Sequence, residues 1–293
     1  MVLWKGLQIG LARFSTGPPY RKGRRGYIPG KQNGGGTSQG SIYGGQKLRG
    51  HTEGVYSIAW SSDGSKLATA SRDNTGVIWD ATTGERLRVL ESHIKELRSI
   101  AWSADGSKVA TCSADDTGAV WDAASGKRLK ELKGHNRWVP SVAWSPEGRT
   151  LAWASRNRIG VVCPEGKRLG VIAGHTNWVK SLAWSPDGSK LAMGYEDKTG
   201  AILDVATGER LRVLEGHTHT VQSIAWSPDG SKVATASLDK TGAVWDAATG
   251  ERLRVLQGHN DMLFSIAWSP DGSKVATTSA DKTARIWAWQ KHW

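Results

Sequence analysis

The sequence repeats itself with a period close to 42 residues. A histidine recurs at His51, His93, His135, His175, His217 and His259, at spacings of 42, 42, 40, 42 and 42, with glycine before it in five cases and Ser92 in the sixth. Each is followed by an aliphatic-x-Ser-aliphatic-Ala-Trp-Ser run. Those runs set Trp60, Trp102, Trp144, Trp184, Trp226 and Trp268 at one shared position, which accounts for six of the 16 tryptophans. A chain of this kind must fold as copies of one supersecondary unit that bury their faces against their neighbours.

Within a unit the Trp-Ser run leads to Asp63-Gly64, Asp105-Gly106, Glu147-Gly148, Asp187-Gly188, Asp229-Gly230 or Asp271-Gly272, where glycine supplies the positive φ of a tight hairpin. Three further apolar segments follow, in the first unit Lys66 to Ser71, Val77 to Asp80 and Arg86 to Leu90. Segments of four to seven residues divided by Gly or Asp turns are too short for helices, so each unit reads as four antiparallel strands. With Gly-His near its start and Trp-Asp near its end, the unit resembles the WD repeat, and the resemblance covers residues 45–293. It implies an all-β propeller of six four-stranded blades. The last unit stops after its third strand, so Gln46 to Arg49 is expected to close the ring as a clasp and remove a free sheet edge. The alternative is a ring of seven, with a degenerate blade drawn from Val2 to Tyr43.

The resemblance also implies a buried hydrogen-bonded set of His, Ser or Thr, Asp and Trp in each blade. Carried over by position, the sets are His51, Ser71, Asp73 and Trp79; His93, Ser113, Asp115 and Trp121; His217, Ser237, Asp239 and Trp245; and His259, Ser279, Asp281 and Trp287. The third unit departs from the pattern with Asn157 and Cys163 in place of Asp and Trp. The fourth has Tyr195 and Leu203 in place of Ser and Trp. These two blades are expected to be the softest.

The recurring Ser, His and Asp suggest a hydrolase, but a trio repeated along the chain beside a tryptophan reads as structural, and no catalytic residue is expected. The repeat histidines lie in separate blades and cannot converge on one ion, and Cys112 and Cys163 have no metal spacing. No Gly-rich phosphate loop opens a helix, so neither metal nor cofactor is expected.

The net charge of +12 is lopsided. Residues 1–50 hold nine Lys or Arg and no acidic residue, which leaves 30 basic against 27 acidic residues in the rest. Residues 1–44 read as a basic extension: an apolar start with Leu3, Trp4, Leu7, Leu11 and Phe14, then Arg21, Lys22, Arg24 and Arg25, then a Gly-rich linker. Three readings stand for it: a disordered tail, a mitochondrial transit peptide over about the first 15 residues, or a contact site for RNA, anionic lipid or an acidic partner. No apolar run approaches the ~18 residues a membrane helix needs, and an intracellular, cytoplasmic protein is expected.

Together these features imply a non-enzymatic scaffold that binds protein partners. The alternative is an organellar or RNA-associated assembly component docked through its N-terminus. In WD-repeat proteins, the variable positions at the start of the first strand and before the turn Asp lie on a face where partners dock. Here they hold Tyr56, Arg72, Glu96, Arg98, Trp138, Arg156, Trp178, Lys180, Leu238, Met262 and Phe264. Aromatic and basic side chains dominate binding hot spots, and Trp138 and Trp178 lie outside the repeat set, so one docking patch across the third and fourth blades, favouring an acidic segment, is expected.

Overall fold

In five of the six blades the turn between the first two strands is clamped by its own side chains. Ser61 Oγ donates to Asp63 Oδ1 at 2.6 Å, the Ser65 N–H donates to the same oxygen, and Gly64 takes φ = +70°. The same clamp recurs at Asp105, Asp187, Asp229 and Asp271, so the first two strands of a blade meet in one fixed register. The structure is a computed structural model that describes residues 48–132, 139–155, 158–162, 168–173 and 178–289.

These residues form six antiparallel sheets and no helix. The first is β1 (Val55–Trp60), β2 (Lys66–Ser71), β3 (Thr75–Asp80) and β4 (Arg86–Glu91), and the second is β5 (Leu97–Trp102), β6 (Lys108–Ser113), β7 (Gly118–Asp122) and β8 (Arg128–Leu132). The third is β9 (Ser141–Trp144), β10 (Leu151–Ala154), β11 (Arg158–Val162) and β12 (Arg168–Ala173). The fourth holds β13 (Val179–Trp184), β14 (Lys190–Tyr195), β15 (Gly200–Asp204) and β16 (Arg210–Leu214). The fifth holds β17 (Val221–Trp226), β18 (Lys232–Ser237), β19 (Gly242–Asp246) and β20 (Arg252–Leu256). The sixth has three strands, β21 (Leu263–Trp268), β22 (Lys274–Ser279) and β23 (Ala284–Ala288). In every sheet the strands lie in chain order, as in propeller blades. No helix among the described residues is long and apolar enough to cross a membrane.

No blade buries its own faces, and the core lies between blades. One cluster joins Ala68, Ala70, Ile78 and Leu90 of the first blade to Ile100, Trp102, Val109 and Trp121 of the second. Another joins Ala192, Ile202 and Leu214 of the fourth to Ile224, Val233 and Trp245 of the fifth. Small alanines on one blade leave room for the tryptophans of the next. Two hydrogen bonds stitch such a seam near the inner strands: the Ile100 N–H reaches Ser57 Oγ at 3.4 Å, and Trp102 Nε1 donates to the Ala59 carbonyl at 3.2 Å. The indole-to-carbonyl bond recurs from Trp184 to Ala143 and from Trp226 to Ala183.

The clasp strand is not among the strands of the described residues. Gln46 and Lys47 lie outside them, as does the Val2 to Tyr43 segment of the seven-blade alternative. Leu48 and Arg49 belong to no strand, and β23 has no fourth neighbour among the described residues. Leu48 instead packs on Leu67, Val77 and Trp79 of the first blade. The two ends of the array differ from its inner seams. Trp60, equivalent to the buried Trp102, is 41% exposed, and Ile286, equivalent to the fully buried Ile78, is 73% exposed. At these positions the first and sixth blades do not bury each other.

Trp102→Ala should open a cavity between the first two blades and cost about 3–5 kcal/mol, read as a lower denaturant midpoint. A loss under about 1 kcal/mol would contradict the seam as the seat of the core.

Candidate interaction site

Beneath the candidate face, four blades carry the same polar network. In the first, His51 Nδ1 lies 2.8 Å from Asp73 Oδ2, His51 Nε2 lies 2.8 Å from Thr69 Oγ1, and Trp79 Nε1 donates to Thr69 Oγ1 at 2.7 Å. With the Asp73 carboxylate accepting, Nδ1 carries the proton. Nε2 then accepts from the Thr69 hydroxyl, whose oxygen accepts the indole N–H. The arrangement recurs on Thr111, Thr235 and Thr277.

This corrects the expected hydroxyl. Ser71, Ser113, Ser237 and Ser279 are not the partners of His and Trp; the threonine two residues earlier is. The register sets Trp79 opposite Leu67, so Thr69 is its diagonal neighbour and Ser71 lies a further pleat away. Ser71 Oγ has other work at the strand end, where it donates to the Gly54 carbonyl at 3.2 Å and accepts the Asp73 N–H at 3.1 Å. Ser113, Ser237 and Ser279 donate to the carbonyls of Lys95, His219 and Asp261, the repeat equivalents of Glu53, whose carbonyl lies 3.4 Å from Ser71 Oγ. A pattern in the sequence marks the true position: threonine stands there in the four blades with a third-strand tryptophan, and Trp153 and Met193 stand there in the other two.

In the fourth blade Met193 and Leu203 replace both network partners and are almost fully buried, with Tyr195 beside them. With the threonine and the tryptophan replaced together, neither leaves the other's hydrogen bond unmet, and apolar packing takes their place. In the third blade Trp153 is buried in the same place. Asn157, Cys163, His135 and His175 lie outside the described residues.

The network contains an Asp, a His and a hydroxyl in series, the parts of a nucleophilic triad. Thr69, Thr111, Thr235 and Thr277 are buried, and each hydroxyl is already held by an indole and an imidazole, so no substrate carbonyl can reach it. Among the described residues no three His, Cys, Asp or Glu are placed to hold a metal. Burial pushes the Cys112 thiol well up, which makes it a poor nucleophile.

The candidate contact residues that are described lie at one end of the blades. In five blades the residue before the turn Asp donates its N–H to the carbonyl at the start of the first strand: Arg72 to Gly54, Ala114 to Glu96, Glu196 to Trp178, Leu238 to Thr220 and Ala280 to Met262. The chemistry there is more balanced than the sequence suggests. Glu96 accepts from the Tyr56 hydroxyl at 3.2 Å, pairs with Arg98, and has Arg72 Nε at 3.9 Å, while the Arg98 guanidinium lies 4.6 Å from the Tyr56 ring centroid. Lys180 Nζ sits 3.3 Å from Glu196 and 4.6 Å from the Trp178 ring centroid. Glu196, which was not expected at the site, stands at the same repeat position as Arg72 and Leu238. Met262 is exposed, and Phe264 and Leu238 are half-buried. Trp138 and Arg156 lie outside the described residues.

The model of the family described as WD domain, G-beta repeat matches six stretches, 45–80, 84–122, 126–158, 166–202, 208–246 and 250–288. Among curated proteins, a chromatin assembly factor 1 subunit of Gallus gallus is 51% identical over 43 residues, 15% of this chain and 8% of that protein. Its Mus musculus namesake is 48% identical over 42 residues, 14% of this chain and 7% of its own length. Protein Mut11 of Chlamydomonas reinhardtii is 50% identical over 40 residues, 14% of this chain and 11% of its own length. Each likeness is about one repeat long, and the chain spans about a tenth or less of each relative.

Two predictions test the networks. Thr235→Val keeps the side-chain shape but strands the Trp245 N–H and the His217 ring, and should cost about 1–3 kcal/mol in chemical denaturation. A midpoint equal to wild type would remove the threonine from the network. The second concerns acid. Burial pushes the Asp73 carboxyl up, but hydrogen bonds from the Thr75 hydroxyl, the Thr52 N–H and His51 outweigh it and hold Asp73 at about 2. Asp63, Asp105, Asp187 and Asp229 are lowered to about 2 as well, chiefly by the serine hydroxyls in their turns. A depressed carboxyl contributes stability that is complete above its unfolded value of about 3.9 and is lost as pH falls through the folded value. The melting temperature should thus fall between about pH 4 and pH 2. A flat profile across that window would contradict the hydrogen-bonded carboxylates.

Proposed function

The chain belongs to the WD-domain, G-beta-repeat family, and we propose that it is a binding platform whose partner, a protein or peptide segment, docks on the blade end that carries Trp178. The observation that carries this reading is the pairing of Trp178 with Lys180 and Glu196. An indole, an ammonium and a carboxylate lie side by side at the end of the blade where Met262 is exposed, and the repeat's own packing does not need Trp178. Aromatic anchors of this kind dominate interface energetics. By repeat position Trp138 corresponds to Trp178 and Arg156 to Glu196.

The charge preference of the site follows from its pairs. Arg98 and Lys180 keep only 15% and 9% of their side chains exposed, and each faces its own glutamate. An acidic partner segment would displace Glu96 and Glu196 from these cations, and would find Arg72, whose side chain is 52% exposed, more readily. The networks beneath, with buried hydroxyls, support a scaffold over a catalyst. The likeness to the chromatin assembly factor 1 subunits and to Mut11 is one repeat long, so it supports the repeat and selects neither pathway nor compartment.

A second reading draws on the charge asymmetry: Arg21, Lys22, Arg24 and Arg25 lie in a stretch of 50 residues without one acid, a composition suited to RNA or another polyanion. The two readings separate by where the affinity resides. Affinity capture with Trp138→Ala/Trp178→Ala should recover the captured partner at least tenfold less well, at an unchanged melting temperature. If capture instead persists in this variant and is lost, together with its steep salt dependence, when residues 1–44 are removed, the basic extension is the binding element.

A further inference from the structure

The first strands of successive blades touch one another in series, β1 to β5, β5 to β9, β9 to β13, β13 to β17 and β17 to β21, so they line the inside of the array. In five of them one extra residue stands opposite a single step of the second strand: Tyr56, Arg98, Lys180, Gln222 and Phe264. A bulge leaves that residue out of the ladder and re-aims its side chain. Three of the four polar ones have partners in their own or the next blade. The Tyr56 hydroxyl and Arg98 meet Glu96, and Lys180 meets Glu196. The Gln222 side chain makes no hydrogen bond among the described residues, although the residue is only 3% exposed. The cause lies in the turn of its own blade, where Leu238 stands at the position that Glu196 holds in the fourth and offers no polar side-chain atom. The Gln222 amide is not fully enclosed, so the small part of this residue that meets solvent is the amide itself.

We infer that Gln222 is the hydrogen-bonding anchor of the binding platform proposed above, and that what it holds is a main-chain amide of an extended partner peptide. The inference rests on that reading and adds the chemistry of the partner. Burying an amide without a hydrogen bond is unfavourable, and a bound group that supplies the missing bonds recovers that loss. The Gln222 amide is uncharged and carries an acceptor and two donors in one plane, so its full complement is another amide. A peptide main chain presents that group at every residue. A carboxylate would meet the donors alone, and the cation on the neighbouring inner strand, Lys180, already faces Glu196. The surface around Gln222 suits a chain lying across it. At the repeat position of Trp178 the fifth blade has Thr220 and the sixth has Met262. Thr220 is buried, with its hydroxyl donating to the Glu196 carbonyl at 3.3 Å, so the ground between Trp178 and Met262 is low. Gln222 follows two residues along the strand, and Leu238 and Phe264 stand half-buried on its own and the next blade. An extended segment crossing from Trp178 to Met262 passes its main chain over Gln222 and lays apolar side chains on Leu238, Phe264 and Met262.

The test uses the full-length chain and dodecapeptides selected on it from a random phage-displayed library, with affinities measured by calorimetry. Gln222→Leu should weaken the selected peptides about tenfold or more, while its melting temperature stays at or above that of wild type because the change removes an unpartnered amide. Exchanging the peptide bonds for esters one at a time should find one bond whose exchange weakens binding to wild type about fivefold or more and binding to Gln222→Leu less than about twofold. If the leucine lowers the melting temperature, Gln222→Met, closer to glutamine in shape, replaces it under the same criteria. Wild-type affinity in Gln222→Leu together with loss in Trp178→Ala would overturn the inference and leave the platform standing. Wild-type affinity in both variants would overturn both. Weakening by Gln222→Leu with no ester-sensitive bond would assign Gln222 to a partner side chain and overturn main-chain recognition. A lower melting temperature in both the Leu and Met variants would make the amide structural and overturn it as well.

Discussion

One threonine hydroxyl in each of four blades holds the array in order. It accepts the indole N–H of the third-strand tryptophan and bonds the histidine of the entering loop, whose other nitrogen meets the aspartate of the turn. The tryptophan fixed in this way is not an internal ornament of its blade. Trp121 packs on the first blade and Trp245 on the fourth, so the polar network inside one sheet sets the apolar surface that the previous sheet must match. Such coupling is what a quasi-one-dimensional repeat fold needs, since each unit contacts only its neighbours.

The fourth blade shows that the coupling has a second solution. Met193 and Leu203 take the places of the threonine and the tryptophan together, so that neither position is left with the other's unmet hydrogen bond. This blade carries Trp178, Lys180 and Glu196 at its end. An aromatic and ion-paired surface thus stands on a blade whose interior has been released from the repeat pattern.

The fold was legible because period, turn residues and alternation agree at every level. Hairpin register, strand count in five blades and the direction of burial all follow from residues such as Asp63-Gly64 and Trp102. The hydroxyl of the network was misplaced by two residues because Ser71 and Thr69 share a strand face, and only the cross-strand register of Trp79 against Leu67 separates them. At the blade end that holds Tyr56, Arg98, Trp178 and Lys180, the pairing of the charges was not legible. Arg98 and Lys180 look free in sequence, whereas Glu96 and Glu196 neutralise them through contacts that depend on strand ends meeting. Ring closure was the least legible, because it depends on the rotation between blades, which no single repeat encodes.

That one threonine serves His and Trp together is tested most directly by a double-mutant cycle on Thr111 and Trp121. Thr111→Val, Trp121→Phe and their combination would be compared by equilibrium denaturation. Each single change strands a buried partner of the other residue, so the double variant should be more stable than the sum of the singles implies, by about 1 kcal/mol or more. Additivity within about 0.3–0.5 kcal/mol would show that the two groups do not depend on each other, and would contradict the network as the element that orders the blades.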